Sequence, residues 1–325
     1  MSWLRLWLAL GTVLGIANRS SAEPPVWDDF SDTWVATDAL GRTVAMAETA
    51  GPPRRDRTVA MFYFLWHDQL GTGHGPFDVS KILAADPKAM QQDTSPPWGP
   101  WHAPHHWGES IFGYYLGDDA SVLRKHAQML SDAGVDLIIF DTSNGPTYPH
   151  NYTKLIEVFR EARRLGNRTP QVAFLAQFWN PRAVVADLYR HLYSKRLGEE
   201  LWFRWEGKPL ILADPNQVDP EPRAFFTFRK PQPSYFEGPT GPNMWSWLEV
   251  YPQHVFRNAA GEKEQMSVGV AQNAVGNRLG SMSEPGARGR SFHGGHQASE
   301  PGAVLHGFNL AEQCGRALRE DPRGA

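Results

Sequence analysis

Two carboxylates stand where apolar runs end. Residues 137–140 read Leu-Ile-Ile-Phe, and Asp141, Thr142, Ser143, Asn144 and Gly145 follow at once. Residues 244–248 read Met-Trp-Ser-Trp-Leu and are closed by Glu249. A buried strand that hands a carboxyl group to a loop supplies what glycosidic cleavage needs twice: one group to protonate the leaving oxygen and one to act as base or nucleophile. Asp141 and Glu249 are therefore the candidate catalytic acids. Asp214 ends a further apolar run, and Glu109 and Glu237 lie on loops. Any of these can instead cap a helix or pair with an arginine, and that bland role stands beside the catalytic one.

Around the acids the chain places aromatic and histidine side chains at strand ends and in one long loop. The apolar run 58–67 ends in Trp66 and His67, and residues 98–109 include Trp101, His102, His105, His106 and Trp107. Gln177 and Trp179 follow the run 171–178, while Trp247 and Tyr251 flank Glu249. With 13 Trp, 9 Tyr and 17 Phe, the chain has flat apolar surfaces with polar edges, on which sugar rings stack. The candidate substrate-binding residues are Trp66, His67, Trp101, His102, His106, Trp107, Asn144, Gln177, Trp179, Trp247 and Tyr251. Many of the aromatics can equally be core.

The histidines at 102, 105 and 106 invite a zinc reading. No cysteine or acid pattern completes such a set, so hydrogen bonding to sugar hydroxyls or loop packing is the stronger reading, and neither metal nor cofactor is expected. No phosphate-cradling loop and no nucleophile elbow occur, which removes support for nucleotide hydrolysis and serine esterase chemistry. Gly71-Thr72-Gly73 does not open a helix.

The elements that must position these groups alternate. Residues 120–133 carry Val122, Leu123, Ala127, Met129 and Leu130 at helical spacing, and Gly134 stops them before the strand 137–140. Strands are expected at 58–67, 137–140, 171–178, 209–213, 225–229, 244–249 and 266–273, with helices at 152–165, 181–193 and 308–319. Helix, glycine, buried strand and polar loop in repetition is the grammar of an α/β fold, here a (β/α)8 TIM-like barrel with chemistry at the strands' C-terminal ends. Seven strands are counted, and an eighth is missing before residue 325. The expected organisation is a signal peptide at 1–22, an extended segment at 23–57 and an incomplete barrel at 58–325 with a long loop at 69–117.

A net charge of -3 and a pI near 6.5 argue against nucleic-acid and anionic-membrane partners. Residues 1–22 combine Arg5, a short apolar stretch and Ser20-Ser21-Ala22, the pattern of a cleaved secretory leader, so a secreted or periplasmic monomer without a membrane span is expected. The lone Cys314 has no intramolecular disulfide partner.

The strand 61–66, the loop 98–107, the unit 133–141 and the strand 245–249 together resemble secreted barrel proteins of glycoside hydrolase families 71 and 99. The resemblance covers about residues 58–319 and implies a (β/α)8 glycosidase acting on a polysaccharide or glycan. In those families a key acidic motif of the Trp-Asn-Glu-Trp kind lies on the final strand. This chain carries none after Arg319, so the resemblance transfers only Asp141, Glu249 and the aromatic-histidine loop, as pocket residues. A non-catalytic carbohydrate-binding barrel is the competing reading, and a metal-dependent hydrolase using the loop 102–106 the third.

Overall fold

The computed structural model describes residues 43, 51, 56–68, 77–92, 109–176, 178, 180–234, 237–247, 249, 254–267, 273–275, 278–280, 292–293 and 296–297. The expected leader, the loop residues 98–107 and the expected helix 308–319 lie outside the described residues.

Six parallel strands form one sheet in which spatial order follows chain order: β1 (Ala60–Phe64), β2 (Leu137–Asp141), β3 (Gln171–Leu175), β5 (Lys208–Leu212), β6 (Thr227–Pro231) and β7 (Met244–Trp245). A short β4 (Arg204–Trp205) pairs antiparallel with the start of β5. A doubly wound sheet would reverse its strand order at a switch point; this one never does, which is the order of a barrel wall. Its strands have two unlike faces. Ile138, Phe140, Val172, Phe174 and Ile211 pack beneath the helices, while Leu137, Ile139, Ala173, Leu175, Leu210 and Leu212 join Phe203 and Trp245 in a second cluster on the inner face.

The helices that cover the outer face begin and end for local reasons. α1 (Val79–Ala85) lies in the long insertion after β1. In α2 (Ala120–Asp132), Asp119 caps the first turn by accepting from the Ser121 and Val122 N–H groups, and Gly134 at φ 69° closes the last with Val135 N–H on the Leu130 carbonyl. α3 (Pro149–Arg164) turns Tyr152, Leu155, Ile156 and Phe159 inward and carries Arg163 and Arg164 in its last turn, against the negative end of its dipole. α4 (Pro181–Leu188) runs into a π-helical turn, Tyr189–Tyr193, and α5 (Pro220–Phe225) precedes β6.

One sequence expectation is corrected. The strand expected at 225–229 begins two residues later, because Pro220–Phe225 is helical. Of the seventh strand expected at 266–273, residues 268–272 lie outside the described residues; Met266 ends β9 (Lys263–Met266), which pairs antiparallel with β8 (Val255–Arg257), and Asn273 begins β10 (Asn273–Val275), paired with β11 (Arg278–Gly280). The polar residues 263–265 lie on β9.

Those residues tie the hairpin to the sheet. Glu264 accepts hydrogen bonds from the indoles of Trp205 and Trp245, at 3.0 and 2.7 Å, and pairs with Arg229 of β6. Gln265 acts as a mock strand for β7: its Oε1 accepts from Ser246 N–H at 3.0 Å and its Nε2 donates to the Ser246 carbonyl at 3.2 Å. The free edge of β7 is thereby covered by a hairpin.

Candidate functional site

Alternation along β2 decides where Asp141 points. Leu137 and Ile139 belong to the inner cluster, so the next residue of that parity, Asp141, crowns the inner face at the C-terminal end of the sheet. Its ladder neighbours are Phe64 on β1 and Leu175 on β3. The residue is 5% exposed, and its Oδ1 accepts the Ser143 N–H at 2.9 Å. Burial raises its pKa above the ordinary carboxylate value, and the Ser143 hydrogen bonds only partly offset that rise.

Asp68 approaches the same place from β1. Its Oδ2 accepts from Asn151 Nδ2 at 3.2 Å, and that nitrogen also donates to the Leu65 carbonyl at 2.8 Å. Asn151 is buried on the first turn of α3 and so fixes the chain just past β1. Gly117 must pass close by: a Cβ there would stand 2.8 Å from Asn151 Nδ2 and 3.1 Å from the His67 carbonyl, so no side chain fits.

Tyr148 connects the two acids. It precedes α3 with a left-handed backbone, φ 53°, which a bulky residue adopts only when its surroundings enforce it. Its phenol is pushed up to about 12, first by burial and then by the negative charges of Asp141 and Asp68. Phe178, at φ 45°, shows the same backbone conformation in the loop after β3.

Beside β1 lies a cavity of 180 Å³ lined by Phe62, Phe64, Tyr63, Tyr115, His67 and His126, among others. Tyr63 Oη and His126 Nδ1 are 2.7 Å apart, and the His67 and Tyr115 rings meet edge to face at 5.1 Å. Burial lowers the pKa of both imidazoles, and His67 lowers that of His126 further. Burial also raises the pKa of both phenols, Tyr63 strongly.

Of the residues expected from sequence, Asp141 and His67 lie at the C-terminal ends of neighbouring strands. Trp66 packs edge to face on Phe64 at 4.9 Å, and its buried Nε1–H has no hydrogen-bond partner among the described residues. Trp247 meets the half-exposed Phe178 ring at 5.5 Å, forming an aromatic corner past β3 and β7. Asn144 is exposed at the tip of the β2–α3 loop. Glu249 is 1% exposed, and its carboxylate is held by the His254 ring, by His254 N–H at 3.0 Å and by Ser267 Oγ at 3.0 Å. That set of donors anchors the segment between β7 and β9. Asp214 takes the capping role: it accepts from Asn216 N–H at 3.0 Å and pairs with Lys230 at 2.8 Å, and these hold its pKa down although burial would raise it. Trp101, His102, His106, Trp107, Gln177, Trp179 and Tyr251 lie outside the described residues. Among the described residues no group of three or more metal-capable side chains converges.

Sequence reasoning missed Asp68, Tyr148 and His126. Asp68 carried the same signal as Asp141, a carboxylate just past an apolar run. His126 sits between Leu123 and Leu130 on the apolar stripe of α2, where a histidine invites a question. Tyr148 gave no signal, since its role depends on backbone conformation.

No protein-family model matches the chain, and no curated protein matches it. Among solved structures it is similar to a GH99 endo-alpha-mannosidase from Bacteroides thetaiotaomicron, in complex with bis-tris propane. The identity is 15%, the TM-score 0.33, and the match covers 55% of this chain and 53% of that one. The match thus spans about half the length of that structure.

Proposed function

We propose that this chain is a glycoside hydrolase acting on a polysaccharide or glycan, with a barrel-type wall carrying its chemistry at the C-terminal ends of the strands. The observation that carries the reading is Asp141: an inward carboxyl group at a strand end, buried enough to hold its proton above the usual range, as an acid that protonates a leaving oxygen must. Trp66 and the corner of Phe178 and Trp247 offer stacking surfaces for sugar rings, and His67 a polar edge for hydroxyl groups. Export as a monomer, with a leader at 1–22, completes the proposal.

A binding barrel without turnover is the second reading. It is favoured by Glu249, whose carboxylate is already occupied by His254 and Ser267. Reducing-end release from a panel of mannan, xylan, starch and β-glucan separates the two. Turnover that falls in Asp141→Asn supports the hydrolase. Retention of a glycan on an affinity gel without any release by the wild type supports the binding barrel.

A further inference from the structure

Past β7 the chain holds one imidazole from two sides. Glu249, 1% exposed, meets His254 twice: its Oε2 accepts the His254 N–H at 3.0 Å, and its Oε1 lies against the ring's Nδ1. Ser267 Oγ donates to the same Oε2 at 3.0 Å, so the carboxylate is itself held in place. Against the face of the ring stands Gly238, where a Cβ would come within 2.8 Å of Cγ and Cδ2, so only a residue without a side chain lets the imidazole rest there. These contacts leave the Nε2 edge. The His254 side chain is 45% exposed, and among the described residues no hydrogen bond reaches its Nε2.

The aromatic corner lies at the same end of the sheet. Trp247 stands two residues before Glu249, and its indole donates at 3.4 Å to the carbonyl of Gln232, just past β6. Gly238, on the same connection to β7, is the residue that meets the His254 ring. Trp247 also meets Phe178 edge to face, and the Phe178 ring is 40% exposed. We propose that His254 Nε2 is the hydroxyl-binding group of a sugar subsite at the β7 end, with the Phe178–Trp247 corner as the stacking surface for the same glycan. The inference rests on the carbohydrate reading, which the hydrolase and the binding barrel share.

A sugar suits both halves of this place. Nε2 donates in one protonation state of the ring and accepts in another, and a sugar hydroxyl both donates and accepts, so the contact forms in either. The apolar C–H face of the same sugar covers an aromatic ring. A ring already fixed by Glu249 and Gly238 loses little freedom when the ligand arrives, so more of the hydrogen bond appears as affinity.

The test uses the full chain in affinity electrophoresis through gels holding mannan, xylan, starch or β-glucan. In His254→Asn the amide stands where Nδ1 stood and keeps the contact with Glu249, but it is too short to reach the place of Nε2. Its thermal midpoint should stay near the wild-type value, while its affinity for the retained polysaccharide falls by on the order of 5–10-fold, the worth of one hydrogen bond. A folded His254→Asn that binds within about twofold of the wild type overturns the inference and leaves the carbohydrate reading intact. If that variant does not fold, long-range 1H–15N spectra of the wild-type imidazoles decide. An oligosaccharide cut from the retained polysaccharide should move the His254 Nε2 signal more than the Nδ1 signal, and unmoved signals reject the subsite. A wild type that none of the four polysaccharides retards rejects the carbohydrate reading and the subsite with it.

Discussion

Asp141 ends β2 with the neutral donors of Ser143 on its carboxylate, whereas Glu264 of β9 receives two indole N–H groups and the Arg229 guanidinium. Asp141 is buried, and the side chain of Glu264 is buried within a half-buried residue. Their pKa values nevertheless move apart. Burial dominates at Asp141 and raises it; at Glu264 burial also pushes upward, but Arg229, Trp245 and Trp205 overcome it and hold the value down. Burial alone therefore does not set the fate of a carboxylate; the donors around it do. At one end of the sheet burial makes a carboxylate easier to protonate, and at the other end charge fastens the hairpin beside β7.

The largest break in this contrast is expected from Arg229→Ala. It leaves Glu264 buried without its cation, and losing one partner of such a pair costs about 3–5 kcal/mol. Urea denaturation should show this as a lower midpoint with an unchanged slope. A wild-type midpoint would mean that the two tryptophans suffice.

The pH dependence of two amide variants sharpens the comparison. Glu264 has a depressed folded-state pKa, so its stabilisation is present above the unfolded value of about 4.3 and is lost as pH falls through the folded value. Glu264→Gln should therefore be destabilised at pH 7 by about 2–3 kcal/mol, with the deficit shrinking toward pH 3. Asp141 has a raised folded-state pKa, so ionising it costs stability as pH climbs from about 3.9 through the folded value. Asp141→Asn should match the wild type near pH 3 and exceed it at pH 7. Parallel rather than crossing midpoint profiles would contradict the assigned roles.

A smaller effect concerns the imidazoles at the β1 end. Lowered folded-state values mean that the unfolded chain binds protons first, so stability is complete above about pH 6.5 and falls below it. His126→Gln should flatten the slope of the thermal midpoint between pH 6.5 and 5. The smallest change belongs to Glu206→Gln. Glu206 pairs with Arg229 at 2.7 Å, but its side chain is 59% exposed, so a loss below about 1 kcal/mol is expected in the same denaturation assay.

Much of the wall was readable from residue order. Leu137 to Asp141, Gln171 to Leu175 and Lys208 to Leu212 are short, apolar and bounded by glycine, proline or acid, so their strand character is local. The hairpin β8–β9 was not readable, because its stability comes from Glu264 and Gln265 reaching Arg229, Trp205, Trp245 and Ser246 across the fold. Polar residues at 263–265 look like a solvated loop until those partners are present. Glu249 illustrates another limit: its position after an apolar run suggests chemistry, and spacing does not reveal that its donors come from His254 and Ser267.

The sequence by itself determined a parallel α/β wall and an inward carboxylate at the end of its second strand, because strand alternation fixes which face Asp141 takes. Only the tertiary structure decided which donors each acid meets. Those donors lie far away along the chain or in an unreadable loop: Asn151 on Asp68, His254 and Ser267 on Glu249, Arg229 on Glu264. Hydrogen bonds act over about 3 Å, and no pattern in residue order records which groups the folded chain brings that close.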